Sequence, residues 1–250
     1  MDVKKYLERI HFTDAPFINE ETLSKIHEQH VLHVPFGCAS IHFKRKLSLE
    51  PDELFKKIIT HRHDGFCYEL NYLFHLLLTE LGFKSTMIAS RIFTTEGIFG
   101  PEFDHLSLVV DLDERWLVDV GYGDLFITPL KLIESDIQFD GRNYFKIEKN
   151  EQSAYVLEMS ANGTDFEKRY AFTLLPRTIA DFEASCVDKQ VNPSSYFVQN
   201  TLITLPTKNG RRTIFNNKFI EKENGLREEM IIENDEQLKA ILKSKFGIIV

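Results

Sequence analysis

The sequence has few cysteines, and their number and spacing exclude two common structural uses of this residue. Three cysteines occur among 250 residues, and no pair has CxxC spacing; they are Cys38, Cys67 and Cys186. A disulfide framework and a cysteine-rich zinc site are therefore not expected. The histidines at positions 61, 63, 75 and 105 include no His-x-x-x-His pair with an acidic partner, so we predict no metal site.

Long apolar runs and an excess of positive charge are also missing. The first ten residues, MDVKKYLERI, have no apolar core of the kind that signal peptides carry, and no apolar run approaches membrane-spanning length. The formal net charge of −8 disfavours nucleic acid and anionic membranes as partners. We therefore expect a cytoplasmic protein in a reducing compartment, with no membrane or nucleic-acid partner.

The N-terminal third of the chain has helical periodicity. Apolar residues recur at three- and four-residue steps in four stretches. They predict helices over 3–10, after Asn19 as N-cap, from Pro51 to Ile59, and from Asp64 to Gly82. Between the second and third of these helices, Pro35 and Gly37 interrupt regular structure, so we predict a loop around Phe36 and Cys38.

Beyond residue 84 the pattern changes to short segments rich in β-branched and aromatic residues, which is typical of an antiparallel sheet or barrel. The predicted strands are 84–93, 105–112, 115–123, 144–149, 153–160 and 168–176. After Pro176 the pattern is mixed, with predicted helices at 181–189 and 236–247 and strands at 197–206 and 211–216. The prediction is an α+β protein of three packed segments: a helical bundle (1–84), an antiparallel β-barrel (85–190) and an α/β segment (191–250).

Cys67 lies at the start of a strongly amphipathic predicted helix. Asp64 is the expected N-cap, which places Cys67 in the first turn, where unpaired N–H groups and the helix dipole stabilise an anion. A thiolate at this position would be a nucleophile. The alternative is that Cys67 is a small buried apolar residue, as free cysteines often are.

A thiol nucleophile needs a base and a group that orients the base. His105 opens one predicted strand, and Asp119 lies inside the next one among apolar neighbours. If the two strands pair, the imidazole and the carboxylate can meet, which would satisfy a carboxylate that is costly to bury alone. The alternatives are a surface histidine and an aspartate that faces solvent on an edge strand.

Several motifs resemble those of the arylamine N-acetyltransferases. GFCYELN at 65–71, following an arginine, resembles the RGGxCxE nucleophile motif of that family. The other matching motifs, in the family's order, are LERI (7–10), HVPF (33–36), the His105 strand, VDVGYG (118–123), DFE (181–183), PSSYFVQNTL (193–202) and LPTKNGR (205–211). The resemblance covers nearly the whole chain. It implies a cysteine-proteinase-like architecture of helical bundle, β-barrel and α/β lid, with a Cys67–His105–Asp119 site.

The resemblance also implies substrates and further site residues. Acetyl-CoA would donate an acetyl group to Cys67, which would pass it to a small aromatic amine or hydrazine in a ping-pong reaction. The implied substrate-contacting residues are Phe36, Ile92, Tyr122 and Phe197. The implied CoA-binding residues are Asp104, Gly121 and Gly123. A monomer or weak homo-oligomer is expected, with acetyl-CoA as co-substrate and no metal.

The chain departs from the family pattern on both sides of the cysteine. His63-Asp64-Gly65 replaces Arg-Gly-Gly, and Gly37-Cys38 stands where the family has Glu-Asn, so both partners of a family ion pair are missing together. Asp104 and Asp124 replace the usual threonine and glycine. Carboxylates near the thiol would raise its pKa and disfavour CoA phosphates. The alternative is that these acids face solvent and are screened.

Two other functions remain open from the sequence. The same three residues serve amide hydrolysis in papain-like and transglutaminase-like proteins. A weakly active or inactive homologue that binds a ligand is the other possibility, because the residues around Cys67 are altered.

Overall fold

The computed structural model describes residues 1–150 and 154–249. In these residues the chain begins with helices, continues with strands and ends with a mixed segment. The helices are α1 (Val3–Arg9), α2 (Glu20–His33), α3 (Ala39–His42), α4 (Pro51–Leu54), α5 (Cys67–Glu80), α6 (Glu183–Val191), α7 (Tyr196–Gln199) and α8 (Asp235–Phe246). A π-helical turn, Phe55–Thr60, extends α4, and a 3₁₀ turn, Ile179–Phe182, precedes α6.

Helix α5 is the central helix of the main core. Its apolar side chains at 70, 73, 74, 77 and 78 are fully buried, and they pack in the core cluster that also contains residues of strands β2 (Lys84–Ile92) and β3 (His105–Asp111). The predicted apolar face is therefore confirmed, and Gly82, with φ +91°, follows the helix end as expected. The prediction of Asp64 as N-cap is wrong, because α5 begins at Cys67 with Phe66 at the cap position. The Asp64 carboxylate instead accepts a hydrogen bond from Ala39 N at 3.0 Å.

An eight-stranded antiparallel sheet forms the middle of the molecule, in the order β5-β4-β3-β2-β9-β8-β7-β6. Its strands are β2 (Lys84–Ile92), β3 (His105–Asp111), β4 (Arg115–Val118), β5 (Leu130–Lys131), β6 (Gln138–Phe139), β7 (Tyr144–Lys149), β8 (Tyr155–Ser160) and β9 (Glu167–Phe172). The side chain of Gln138 hydrogen-bonds both the N–H and the C=O of Lys131, which links the outer strands β5 and β6. The sheet is thus a nearly closed barrel, and the predicted α+β fold class is confirmed. Ser153, in the predicted strand 153–160, lies outside the described residues.

A second, five-stranded sheet contains β1 (Phe36–Gly37), β10 (Leu202–Thr207), β11 (Gly210–Phe215), β12 (Lys218–Glu223) and β13 (Leu226–Ile231). Helix α8 packs its buried side chains Ile241, Leu242 and Phe246 against this sheet. Strand β1 comes from the helical part of the chain and pairs with β10, so the prediction of a loop there is wrong at Phe36–Gly37. The predicted strand 197–206 is wrong in its first residues, which belong to α7.

The boundaries at residues 84 and 190 stay predictions. Among residues 1–150 and 154–249, no helix has the length and apolar character needed to cross a membrane.

Candidate active site

Cys67 is the first residue of α5 and is 5% exposed. Its position in the first turn agrees with the expectation from the sequence. The amide N–H groups of a first helical turn have no acceptor within the helix, so they are available to an anion. The thiol therefore lies where the local backbone favours negative charge.

His105 and Asp119 form a buried pair. Nε2 of His105 lies 2.7 Å from Oδ2 of Asp119, and the two side chains are 3% and 0% exposed. Because an ionised carboxylate only accepts hydrogen bonds, Nε2 donates and the imidazole is held through one nitrogen. Burial alone would raise the pKa of Asp119, but His105 and hydrogen bonds from Asn71 Nδ2 and Gly121 N hold it below its ordinary value.

Asn71 links the helix of Cys67 to Asp119 and to Leu106, the residue after His105. It lies one turn after Cys67 on α5 and is fully buried. Its Nδ2 donates to Leu106 O at 2.6 Å and to Asp119 Oδ1 at 2.9 Å, and its Oδ1 accepts from Val120 N at 2.9 Å. Sequence reasoning missed Asn71, although an amide on the buried face of an otherwise apolar helix was a usable signal.

His27 of α2 bonds to the backbone of Asp119. Its Nδ1 donates to Ile127 O at 2.8 Å, so Nε2 carries a lone pair and accepts from Asp119 N at 3.3 Å. Burial lowers the pKa of His27 to about 4, which keeps the ring neutral. Sequence reasoning missed this residue too, because its partners lie about a hundred positions away.

Asp119 lies one residue beyond the end of β4, and the prediction that it sits inside a strand is wrong. The backbone N–H groups of Asp119 and Val120 bond to the side chains of His27 and Asn71, and Gly121 N donates to Asp119 Oδ1. These bonds replace strand pairing. The loop after β4 is therefore shaped by side chains that are distant in sequence.

Gly121 places this loop directly against the nucleophile helix. A Cβ atom at Gly121 would lie 3.0 Å from Cys67 Cα and 2.6 Å from Asn71 Nδ2. Such distances are too short for any side chain without movement of the backbone. The absence of a side chain at this position lets the Asp119 loop and the start of α5 touch.

The electrostatic environment of Cys67 is mixed. Burial raises the pKa of its thiol well above the ordinary value. The Lys189 ammonium acts in the opposite direction, while the carboxylates of Asp104 and Asp119 add to the increase. The thiol is therefore protonated until a base removes its proton.

The four predicted substrate-contacting residues fall into two groups. Phe36 and Phe197 pack with Phe66, the residue before Cys67, at ring distances of 5.9 and 4.6 Å. Tyr122 packs edge-on against the ring of His105 at 5.6 Å. Ile92 is the last residue of β2, and its cross-strand partner is Tyr170 on β9.

Tyr170 was not predicted as a site residue, yet its ring lies 5.6 Å from that of His105. Burial, and then the nearby Asp119 carboxylate, raise the pKa of its hydroxyl. The ring of His105 therefore packs against two tyrosine rings, those of Tyr122 and Tyr170. These contacts restrict how the imidazole can turn.

Two of the three acidic residues expected near the thiol, Asp104 and Asp124, have cationic partners. Asp104 pairs with Lys189, whose ammonium also lies 5.7 Å from the ring centre of Phe197. Asp124 pairs with Arg211 at 2.7 Å and is largely exposed. Arg211 also donates to the carbonyl of Gly123, a predicted CoA-binding residue with φ +92°.

Asp64 differs from the other two acids because it is buried, at 2% exposed. Its negative charge acts on the neighbouring thiol of Cys38. Burial, with the Asp64 charge adding to it, raises the pKa of Cys38 to about 12. The Cys38 sulfur accepts from Leu202 N at 3.2 Å. Cys38 therefore packs as a protonated, hydrogen-bonded thiol.

Comparison with known proteins identifies the family. A family model described as N-acetyltransferase matches residues 20–250. The chain is 30% identical to the arylamine N-acetyltransferase pineal gland isozyme NAT-3 of Gallus gallus, over 99% of this chain and 94% of that protein. The fold matches the arylamine N-acetyltransferase of Salmonella typhimurium with a TM-score of 0.92 and 24% identity, over 98% and 90% of the two chains.

A second solved structure, the arylamine N-acetyltransferase of Mycobacterium marinum in complex with CoA, matches with a TM-score of 0.90 at 22% identity, over 99% and 93% of the chains. The hydrolase and the ligand-binding alternatives are not favoured by these matches. The chain therefore belongs to the arylamine N-acetyltransferase family and is an acetyltransferase.

Proposed function

We propose that Cys67 accepts an acetyl group from acetyl-CoA and passes it to the nitrogen of an arylamine or arylhydrazine. His105 is the base, and Asp119 orients it. The observation that carries this proposal is the buried His105–Asp119 pair, tied by Asn71 to the helix that begins with Cys67. The CoA complex of the M. marinum relative supports CoA as the co-substrate.

The first half-reaction moves the acetyl group onto sulfur. Because Asp119 holds Nε2 of His105, the Cys67 proton passes to Nδ1, and the thiolate attacks the thioester carbonyl. The Cys67 amide at the start of α5 is the candidate donor to the carbonyl oxygen as it gains charge. The C–S bond to CoA then breaks, and the CoA sulfur takes the proton back from His105.

The second half-reaction repeats this path with the amine. The amine nitrogen attacks the thioester carbonyl, and His105 takes a proton from that nitrogen. The C–S bond to Cys67 then breaks, and the Cys67 sulfur takes the proton from His105 to become a thiol again. A thioester and a thiol exchange acyl groups at nearly equal energy, and an amide is more stable than a thioester, so neither half-reaction needs another energy source. Since CoA leaves before the amine reacts, the kinetics are ping-pong.

The aromatic residues suit a flat acceptor. Phe36, Tyr122 and Phe197 offer ring faces and edges near the proposed triad, with Ile92 further along β2. Aromatic stacking supplies affinity without many polar contacts. Asp104, Gly121 and Gly123 are proposed to contact CoA, and for Asp104 this requires that Lys189 offset its negative charge.

Within this proposal, segment 1–84 carries the nucleophile, 85–190 carries the base and its carboxylate, and 191–250 covers the site through Phe197. The protein is proposed to act in the cytoplasm as a monomer or weak homo-oligomer.

The test is intact-mass spectrometry after incubation with acetyl-CoA, compared with Cys67→Ser and with Cys38→Ser as a control. Wild type and Cys38→Ser are expected to gain one acetyl group, lost again when an arylamine is added, whereas Cys67→Ser stays unlabelled in the same time. Labelling at another residue, or amide cleavage without CoA, would contradict the proposal. Absence of labelling with any acyl-CoA would support a ligand-binding role.

A further inference from the structure

An open cavity of about 470 Å³ lies between the ends of α1 and α2, the β10–β11 turn and the end of α8. Within residues 1–150 and 154–249, its lining contains six basic side chains and no aspartate or glutamate. The basic residues are Arg9, Arg62, Lys208, Arg212, Lys243 and Lys245. The whole chain carries a net charge of −8. A positive cavity in an acidic protein concentrates anions locally.

Arg9 is the buried member of this group and is 5% exposed. Its Nη1 donates to His33 O at 2.6 Å, while its Nε has no hydrogen-bond partner among the described residues. Burial, and then the charge of Arg62, lower the pKa of Arg9 to about 10. A buried guanidinium without a carboxylate is costly, and an anion would offset that cost.

Only part of the positive charge is neutralised within the chain. Arg212 and Lys245 both pair with Glu221, each at 2.7 Å. In residues 1–150 and 154–249, no carboxylate lies within ion-pair distance of the remaining four cations, which are Arg9, Arg62, Lys208 and Lys243. Because one carboxylate balances only one charge, the lining of this cavity carries about five positive charges in excess.

We propose that this cavity binds a small molecule carrying two or more phosphate groups. Two of the unpaired cations are guanidinium groups, whose planar fork matches phosphate oxygens. One phosphate would balance at most half of the charge, whereas a diphosphate or triphosphate would balance most of it. The volume lies in the range of small-ligand sites. No lining residue belongs to the proposed triad or to the predicted substrate and CoA residues.

The test is isothermal titration of the full chain with inorganic tripolyphosphate. The cavity variant is Arg62→Gln with Lys243→Gln, both exposed side chains. The matched control is Lys56→Gln with Lys239→Gln, which removes the same charge from exposed positions outside the cavity, the second of them on α8 as well. We expect the cavity variant to bind about tenfold or more weakly than wild type, because each charge-assisted contact is worth about that factor, and the control to bind as wild type does.

Four outcomes would overturn the proposal. The first is that wild type does not bind tripolyphosphate. The second is that both variants lose affinity equally, which would indicate a non-specific charge effect. The third is that orthophosphate binds as tightly as tripolyphosphate. The fourth is that the cavity variant raises the KM for acetyl-CoA, which would make the cavity part of the CoA site. An unchanged acetyl-CoA KM with weaker tripolyphosphate binding supports a separate site.

Discussion

The carboxylate of Asp64 fills the space in which a side chain at position 37 would begin. A Cβ atom at Gly37 would lie 2.5 Å from Asp64 Oδ2, and that carboxylate is held by the amide of Ala39. The two departures from the family pattern on either side of the cysteine are therefore one coupled change. The side chain lost at position 37 makes room for the side chain gained at position 64.

This coupling predicts the stability of three variants. Gly37→Ala is expected to lower the free energy of unfolding by about 1–3 kcal/mol, the usual cost of overpacking. In an Asp64→Gly background the same change is expected to cost little, because the clash is gone. An Asp64→Asn background, which keeps the volume and removes the charge, should preserve the cost. Denaturant unfolding measures all three, and additive effects in the Asp64→Gly background would contradict the steric coupling.

The sequence predicts those parts of the fold that local patterns encode. The apolar spacing of α5 and the position of Cys67 in its first turn are visible in the chain itself. The loop at Asp119 is not, because the backbone N–H groups of Asp119 and Val120 bond to His27 and Asn71, which lie 92 and 49 residues away. A local pattern cannot show such partners, which is why the prediction of a strand through Asp119 is wrong.

The β12–β13 hairpin was missed for a different reason. All six residues of β13 are exposed, so it lacks the alternation of apolar and polar residues by which strands are recognised. Its turn, Asn224-Gly225, has φ values of +50° and +80°, as a tight two-residue hairpin requires. That dipeptide was a usable signal.

Asn71 is expected to position the proposed triad. Asn71→Ala removes two donors and one acceptor that serve buried partners, so we expect acetylation of Cys67 to slow about 100-fold, the effect of a small misplacement of reacting groups. The acid limb of the pH–rate profile should move to higher pH, since the lost hydrogen bond helps to keep the pKa of Asp119 low. The control is His75→Ala on α5, which bonds Ser85 away from the site. An unshifted profile would assign Asn71 a purely structural role.

His27 makes the stability of the protein depend on pH. Its pKa is about 4 in the folded state, where burial disfavours the charged ring, and about 6.5 when unfolded. The unfolded chain therefore binds the proton first, and stability falls as the pH drops from about 6.5 towards about 4, with about 3 kcal/mol of the fall due to His27. His27→Gln should flatten this part of the curve, whereas His61→Gln, at an exposed position, should not. Equal pH dependence in wild type and His27→Gln would refute the assignment.

Lys189 and Asp104 are expected to change the reactivity of Cys67 in opposite directions. Lys189→Gln removes the cation that opposes the effect of burial and leaves the Asp104 carboxylate unpaired, so the thiol pKa should rise. Asp104→Asn leaves the ammonium unopposed, so the pKa should fall. The rate of iodoacetamide alkylation of Cys67 against pH, read from the Cys67 peptide by mass spectrometry, measures both shifts. The double variant should lie between the two single ones. Shifts in the same direction would mean that the ion pair acts on Cys67 through packing and not through charge.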